Sequence, residues 1–257
     1  MFPARLLTIC LATLALLGPA PLHAGGLVKG DCASPKPMSD LRHCDFQGRT
    51  MNGIDLHGAD LSGVNLSTAK MLDCDFTGTL LSGANFKWSN LSGCRMRRSD
   101  LRGADLFHTR LDGADLTGSD MREAFLFGTD LNEVRADNVD LRGANMKDVI
   151  MEDARFRRAN LSGVYMLRGV ILGSDFRWTN LSGADMTGAS AERTNFSGAD
   201  LSGAKLRGAE LISAKFIGAN LQGVDFANAR FEKTFFLGAV KLPEEVRKRL
   251  SKNWHAD

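Results

Sequence analysis

The sequence predicts an all-β solenoid whose chain turns a corner every five residues. A large apolar residue stands at every fifth position from Leu41 to Phe236, and 37 of these 40 centres are Leu, Phe or Met. The residue two before each centre is mostly small, and the residue two after it is Gly in 22 of the 40 units. All six prolines lie outside residues 38 to 242, as expected where every coil must donate hydrogen bonds to its neighbour.

Neither common secondary structure accounts for a period of five. On a helix the centres would spiral around the axis, because five residues advance by about 500°. On a strand they would alternate between the two faces. A chain that turns toward one axis every five residues closes a square coil after four units, and glycine after each centre suits a tight turn with positive φ.

The unit A-(D/N)-L-x-G resembles that of the pentapeptide-repeat proteins, and it runs in phase over residues 39 to 238. The resemblance implies a right-handed quadrilateral parallel β-helix of about ten coils. Internal repetition at a fixed period is the signature of stacked architectures, which agrees with what the resemblance implies.

The N-terminus predicts a signal peptide over residues 1–24. Arg5 precedes an apolar run of 12 residues from Leu6 to Leu17, and Ala24 offers a small residue for cleavage. The run is shorter than the roughly 20 residues that span a bilayer, which disfavours an uncleaved anchor and predicts no stable membrane span after cleavage. The expected location is therefore exported, either periplasmic or secreted.

Both ends of a solenoid need caps, because an open coil exposes backbone and core. Residues 25–38 form the predicted N-terminal cap, and a disulfide between Cys32 and Cys44 is the favoured staple, with two free thiols as the alternative. Residues 239–257 form the predicted C-terminal cap, with one helix from Leu242 to Trp254 and Pro243 at its first position. This helix is expected to be a lid on the last coil, and a dimerisation helix is the alternative. The chain is accordingly expected to be a monomer or an end-to-end homodimer.

Two further cysteines, Cys74 and Cys94, are 20 residues apart and so stack in adjacent coils at inward positions. Their expected spacing suits a disulfide. Small inward cysteines are also ordinary core residues, and that second interpretation is preferred here.

Sorting outward residues by coil side separates four faces. The side centred on Leu61, Leu81 and Leu101 alternates Asp and Arg and is expected to be a solvated charge ladder. The side centred on Phe86, Leu106 and Leu126 collects large apolar side chains, which typically mark contact sites. This candidate interaction face comprises Trp88, Phe107, His108, Phe125, Phe127, Tyr165 and Leu167.

The opposite side is rich in arginine, the residue that best binds phosphate and carboxylate groups. The candidate anion face comprises Arg95, Arg97, Arg98, Arg135, Arg155, Arg157, Arg158 and Arg177. A merely solvated basic face is the alternative. Trp178 lies on this side, where we expect it to stack with an arginine.

The sequence predicts neither catalytic residues nor a cofactor or metal site, because its histidines are scattered and its Ser, Asp and Asn recur as repeat chemistry. The favoured function is a non-catalytic structural or binding module with a protein partner. The alternative is a binder of, or an enzyme acting on, an anionic or carbohydrate ligand. Some pentapeptide-repeat proteins mimic DNA and protect DNA gyrase. That role is disfavoured here by the arginine face and the export signal, and general nucleic-acid binding is disfavoured by a net charge near zero.

Overall fold

The computed structural model describes residues 26–253. The predicted signal peptide lies outside the described residues, and so does Trp254. Within residues 26–253, no helix has the length and apolar character needed to cross a membrane.

The described chain is a right-handed quadrilateral β-helix with 20 residues per coil. Parallel bridges pair residues 20 apart along four ladders, from Asp40 with Asp60 to Asn220 with Val240. Each corner is closed by a short hydrogen bond, such as Val64 N–H to the Leu61 carbonyl at 3.0 Å. The next coil is reached by bonds such as Leu61 N–H to the Leu80 carbonyl at 2.8 Å. The predicted period of five is therefore the spacing of the corners.

The residue two after each centre adopts the left-handed conformation almost throughout. Of the 40 such positions, 22 glycines and 17 other residues have positive φ, and His43 is the exception. The 17 include Trp88 and Trp178, with φ of 60° and 59°. A non-glycine residue in this region costs on the order of 1 kcal/mol, so each large side chain there is held against a local backbone preference.

The core is a column of centre residues with small residues between them. Almost all interior positions are buried, and from Phe156 to the partly buried Phe236 one side of the coil stacks five phenylalanines at centroid spacings of 5.0 to 5.6 Å. Where a small position holds Thr instead of Ala, its buried hydroxyl donates to a carbonyl of the preceding coil, as Thr109 does to Phe86 at 2.7 Å. These polar core residues are therefore satisfied.

The Asp or Asn that precedes most centres has a structural role that the sequence pattern did not explain. Its side-chain oxygen accepts the backbone N–H two residues later, as Asp60 does from Ser62 at 3.0 Å and Asn90 from Ser92 at 3.0 Å. Such local bonds are typical of Asx turns. The recurring acids are thus turn residues rather than candidate catalytic groups.

At the N-terminal end, strand β1 (Val28–Lys29) pairs in parallel with strand β2 (Ser39–Asp40). The N-terminal segment therefore adds a short strand to the edge of the first coil, in addition to the irregular stretch expected there. The structure joins Cys32 to Cys44 with a Cα–Cα distance of 5.5 Å, which is the favoured pairing.

The preference for unpaired Cys74 and Cys94 is wrong in this structure, where the two residues form a disulfide. Their Cα atoms are 4.5 Å apart, since they occupy the same inward position of adjacent coils. This distance lies within the range that a disulfide requires. The inward, stacked positions that are typical of core residues are therefore also compatible with a disulfide.

At the C-terminal end, helix α1 spans Glu244–Asn253, slightly shorter than predicted. Pro243 precedes the helix instead of occupying its first position, and its carbonyl accepts the N–H groups of Val246 and Arg247, each at 3.1 Å. Val246 is fully buried against the solenoid core. The helix therefore packs onto the last coil, as expected of a lid.

Candidate interaction faces

Five of the predicted interaction residues form one continuous group on the side centred on Phe86, Leu106 and Leu126. This aromatic cluster consists of Trp88, Phe107, His108, Phe125 and Phe127. It spans three consecutive coils, because Trp88, His108 and position 128 stack at 20-residue intervals. The backbone ladder fixes this spacing: Trp88 N–H donates to the Phe107 carbonyl and His108 N–H to the Phe127 carbonyl, both at 3.0 Å.

The rings of the cluster contact one another in two orientations. Trp88 lies parallel to His108 with centroids 4.4 Å apart, while Phe107 meets both of them edge-on. Phe107 is also stacked with Phe127 at 5.5 Å, and Phe125 with Phe127 at 6.4 Å. These are the offset-stacked and edge-to-face geometries that aromatic pairs prefer, so each ring restricts the movement of the next.

The cluster remains open to solvent despite these contacts. Trp88 is 58% exposed and Phe125 37% exposed, whereas the other three rings are half-buried. His108 lies where a Cβ on residue 128 would be, only 2.6 Å away, so Gly128 makes room for the imidazole. The result is an aromatic surface with Trp88 at its most exposed end.

The other two predicted members do not join this group. Tyr165 is exposed and Leu167 is half-buried, but both lie two coils beyond Phe125 and Phe127. Asn145 and Lys147 occupy the intervening coil, and the Lys147 ammonium lies 5.5 Å from the Phe127 ring centroid. The ammonium group of Lys147 therefore borders the aromatic cluster on this side.

The predicted anion face is an ordered network of ion pairs rather than a set of free arginines. Asp115 binds Arg97 at 2.6 Å and lies 3.7 Å from Arg135, and Asp175 binds Arg157 at 2.6 Å and Arg177 at 2.8 Å. The remaining pairs are Arg155 with Asp137 at 2.7 Å and Arg95 with Asp75 at 2.9 Å. No carboxylate of the described residues is paired with Arg98 or Arg158.

Asp115 anchors this network from within the rod. The residue is only 2% exposed. Burial by itself would raise the pKa of Asp115, but hydrogen bonds from Thr117 and the ion pair with Arg97 lower it below its ordinary value. Asp115 therefore stays ionised at neutral pH and holds two arginine side chains whose heads reach solvent.

Trp178 lies on the arginine face, as expected. The guanidinium carbons of Arg158 and Arg177 are 5.7 and 5.4 Å from its ring centroid, within the range of a cation–π contact. The ring lies over Gly198, where a Cβ would be 2.6 Å from it. Trp88 and Trp178 thus occupy equivalent turns on opposite sides of the rod, with aromatic neighbours in one case and cationic neighbours in the other.

The described histidines form no recognisable catalytic arrangement. His57 bonds Asp55 at 2.8 Å, two residues earlier, in the same local geometry in which Arg102 bonds Asp100 and Arg122 bonds Asp120. His43 lies near Cys32 and Cys44, and these three form the one potential metal-ligand group among the described residues. Because the thiolate is the metal ligand, the disulfide leaves only His43 available there.

A fourth side of the rod brings two acids together. Asp130 and Asp112 lie in adjacent coils, and burial first, with the negative charge of Asp112 second, raises the pKa of Asp130 above its ordinary value. A raised carboxyl pKa means that ionisation is less favourable in the folded chain than in the unfolded chain. The charge of Asp130 therefore lowers stability at neutral pH.

We expect Asp130→Asn to raise the free energy of unfolding by about 0.5 kcal/mol at neutral pH, the scale of a like-charge pair. The amide oxygen can still accept the Asn132 N–H that Asp130 accepts at 3.2 Å. The gain should vanish near pH 3, where Asp130 is protonated in both states. Urea denaturation at both pH values measures the effect. Asp120→Asn, which removes an ion pair with Arg122, should be destabilising under neutral conditions, and a gain there would contradict the electrostatic explanation.

Comparison with known proteins agrees with this architecture. The family model described as pentapeptide repeats matches the chain in eight copies, over residues 39–78, 59–98, 99–135, 126–163, 174–211 and 209–239. A search of curated protein sequences finds no match.

Several solved pentapeptide-repeat structures are similar to the chain. HetL from Nostoc sp. strain PCC 7120, involved in heterocyst differentiation regulation, is 26% identical over 76% of this chain and 90% of its own, with a TM-score of 0.39. QnrB1, a plasmid-mediated fluoroquinolone resistance protein, is 19% identical over 81% and 91%, with a TM-score of 0.44. A thylakoid-lumen protein from Arabidopsis thaliana is 28% identical over 56% and 69%, with a TM-score of 0.14. With its repeat unit matched over most of its length, the chain belongs to the pentapeptide-repeat family.

Proposed function

We propose that the protein is an exported, non-catalytic binding module that presents its aromatic cluster to a partner protein. The observation that supports this most strongly is Trp88, a tryptophan that is 58% exposed in a turn where glycine is the usual residue. Its ring is held by His108 and Phe107 from the next coil. An exposed, fixed tryptophan within an aromatic surface is typical of the anchors that dominate protein interfaces.

Rigidity makes such a surface effective in binding. The backbone that carries the rings is held by hydrogen bonds between coils, such as Trp88 N–H to the Phe107 carbonyl and Phe125 N–H to the Ala104 carbonyl, so little backbone freedom remains to be lost when a partner docks. Aromatic side chains also have few rotatable bonds for their contact area. The partner therefore meets an arrangement of rings that is already in its bound geometry.

The surroundings of the cluster define the chemistry of the partner. Lys87, which bonds Asp105 at 2.9 Å, and Lys147 lie on either side of the phenylalanines along one outward column. A complementary surface would place aliphatic or aromatic side chains on the rings and acidic groups at the two lysines. We propose a folded protein surface with this pattern, and neither a cofactor nor a nucleic acid.

Export is part of this proposal, and two features support it. The N-terminal sequence has the pattern of a signal peptide, and both described disulfides suit an oxidising compartment such as the periplasm or the extracellular space. The contact of Val246 with the last coil favours a lid over a dimerisation element, so the proposed unit is one rod.

A single small ligand cannot contact both the aromatic cluster and the arginine face. The two lie half a coil apart, on opposite sides of a filled core. A DNA-mimicking role is also disfavoured, because mimicry requires an acidic surface and one side of this rod has an excess of arginine.

Affinity capture from the exported fraction of the native host tests the proposal. Each substitution introduces a residue that other units of the repeat have at the equivalent position. Trp88→Gly with Phe125→Asn should abolish capture of the partner, because truncating a tryptophan that anchors an interface costs roughly 2 kcal/mol of binding or more. The matched control is Trp178→Gly with Phe235→Asn, which removes a tryptophan and a phenylalanine of similar exposure from the opposite side.

The two variants also keep the test independent of folding. Glycine is the usual residue at positions 88 and 178, and Asn recurs at the positions equivalent to 125 and 235. A captured protein that rebinds the purified wild-type rod and the control variant, but not the first variant, supports the proposal. Equal capture by all three proteins contradicts it.

A further inference from the structure

We infer that the arginine face is a second binding site, a track for a linear anionic polysaccharide whose carboxylate or sulfate groups lie in two grooves. This inference does not depend on a partner at the aromatic cluster. It rests on the charge excess of this face, on the shape of the grooves and on the position of Trp178.

The face has more cations than the protein neutralises. Eight arginines stand against four aspartates, Asp75, Asp115, Asp137 and Asp175, which leaves an excess of four positive charges. Two of these carboxylates are each shared between two arginines. The remaining guanidinium N–H groups are therefore oriented by the protein without being saturated by it, as a prepared anion site requires.

The first groove, of about 530 Å³, is lined by four arginines, one aspartate and two threonines: Arg97, Arg98, Arg135, Arg155, Asp115, Thr77 and Thr117. Buried Asp115 fixes Arg97 and Arg135, while no described carboxylate is paired with Arg98. The Nε–H of Arg155 also finds no hydrogen-bond partner among the described residues. An anionic group in this groove would receive charge-assisted hydrogen bonds from several directions.

The second groove, of about 220 Å³, is lined by Asp137, Asn138, Arg157, Arg158 and Trp178. Trp178 is 54% exposed, and its indole is supported by the close approach to Gly198. A flat aromatic surface beside amide, carboxylate and guanidinium groups suits a pyranose, whose C–H bonds pack on the ring while its hydroxyl groups bond the polar neighbours. A small inorganic anion would leave this aromatic surface unused.

The spacing of the rod favours a polymer of sugars. Arg98 and Arg158 are 60 residues apart, which is three coils or about 14 Å at the usual spacing between strands. Positions 118 and 138, which lie between these arginines in the same column, hold Gly and Asn, so a ligand that reaches both arginines must span three coils, as a chain molecule can and a single small anion cannot.

Direct binding of fluorescent oligogalacturonate, long enough to span both grooves, tests the inference. Arg98→Gln with Arg158→Gln should weaken binding by at least about tenfold, equivalent to 1.4 kcal/mol. The matched control is Arg168→Gln with Arg193→Gln. These arginines occupy the same left-handed turn position on other sides of the rod, so the control removes the same net charge.

The expected result is salt-sensitive binding of oligogalacturonate, no binding of a neutral glucan of equal length, and a control affinity within about twofold of the wild type. If the test variant and the control variant lost the same affinity for oligogalacturonate, net charge alone would explain the binding, and the assignment of the site to the arginine face would be overturned. Absence of binding at low ionic strength would also overturn it, as would tighter binding of a single-stranded oligonucleotide of matched charge.

Discussion

Replacing Phe196 with alanine should lower the free energy of unfolding by about 3–5 kcal/mol. Phe196 is fully buried in the middle of the phenylalanine stack, 5.6 Å from the ring of Phe176 and 5.0 Å from that of Phe216. The flanking coils are held apart by backbone ladders on every side, so they cannot collapse into the space left by the ring. The cost should therefore include a full cavity term.

Urea denaturation followed by circular dichroism measures this loss. Because each coil contacts only its neighbours, the damage should be concentrated in the coils next to residue 196, and a broadened or two-step transition is expected. The control is Phe235→Ala, which removes a ring that is 52% exposed and should cost less than about 1 kcal/mol. Similar losses for the two variants would contradict the assignment of Phe196 to a tightly packed core.

Removing the crosslink between the second pair of cysteines is the other large expected effect. Cys74→Ala with Cys94→Ala should lower the free energy of unfolding by about 3 kcal/mol, the entropic estimate for a closed loop of some 20 residues. Alanine occupies the same inward position in the neighbouring units at Ala84 and Ala104, so the substitution adds a repeat-typical residue and isolates the bond itself.

Denaturation with and without a reducing agent completes this test. Reduction should destabilise the wild type more than the double variant, because the wild type loses both disulfides and the variant only the bond of Cys32 to Cys44. If the double variant were as stable as the oxidised wild type, Cys74 and Cys94 would be ordinary core residues, as the sequence alone suggested.

The fold could be predicted from the sequence because, in this architecture, the position of a residue within the repeat determines its position in the coil. One inserted residue anywhere between Leu41 and Phe236 would turn every later centre out of the core. Forty units in phase therefore determine both the coil and the side on which each residue lies. That arithmetic is also sufficient to place Trp88 beside His108 and to put Trp178 on the opposite face among arginines.

Other features could not be predicted, because they depend on side-chain orientation and on the ends of the rod. The repeat places Cys74 and Cys94 at the same inward position of adjacent coils whether or not they form a disulfide, so it does not predict the bond. Val28, which pairs with Ser39, lies before the repeat begins, so the period of five does not predict this pairing. The sequence places aspartates among the arginines of this face but does not predict which groups pair, and in the structure Asp115 contacts arginines of both neighbouring coils.

We propose that one side of the rod binds a partner protein through a tryptophan that replaces the usual turn glycine. The most direct measurement is the dissociation constant of the purified partner for two single variants, Trp88→Gly and Trp178→Gly. Both make the same chemical change at left-handed turns with φ of 60° and 59°. We predict that Trp88→Gly weakens binding by at least about tenfold and that Trp178→Gly leaves it within about twofold of the wild type. Equal affinities for the two variants would contradict the claim.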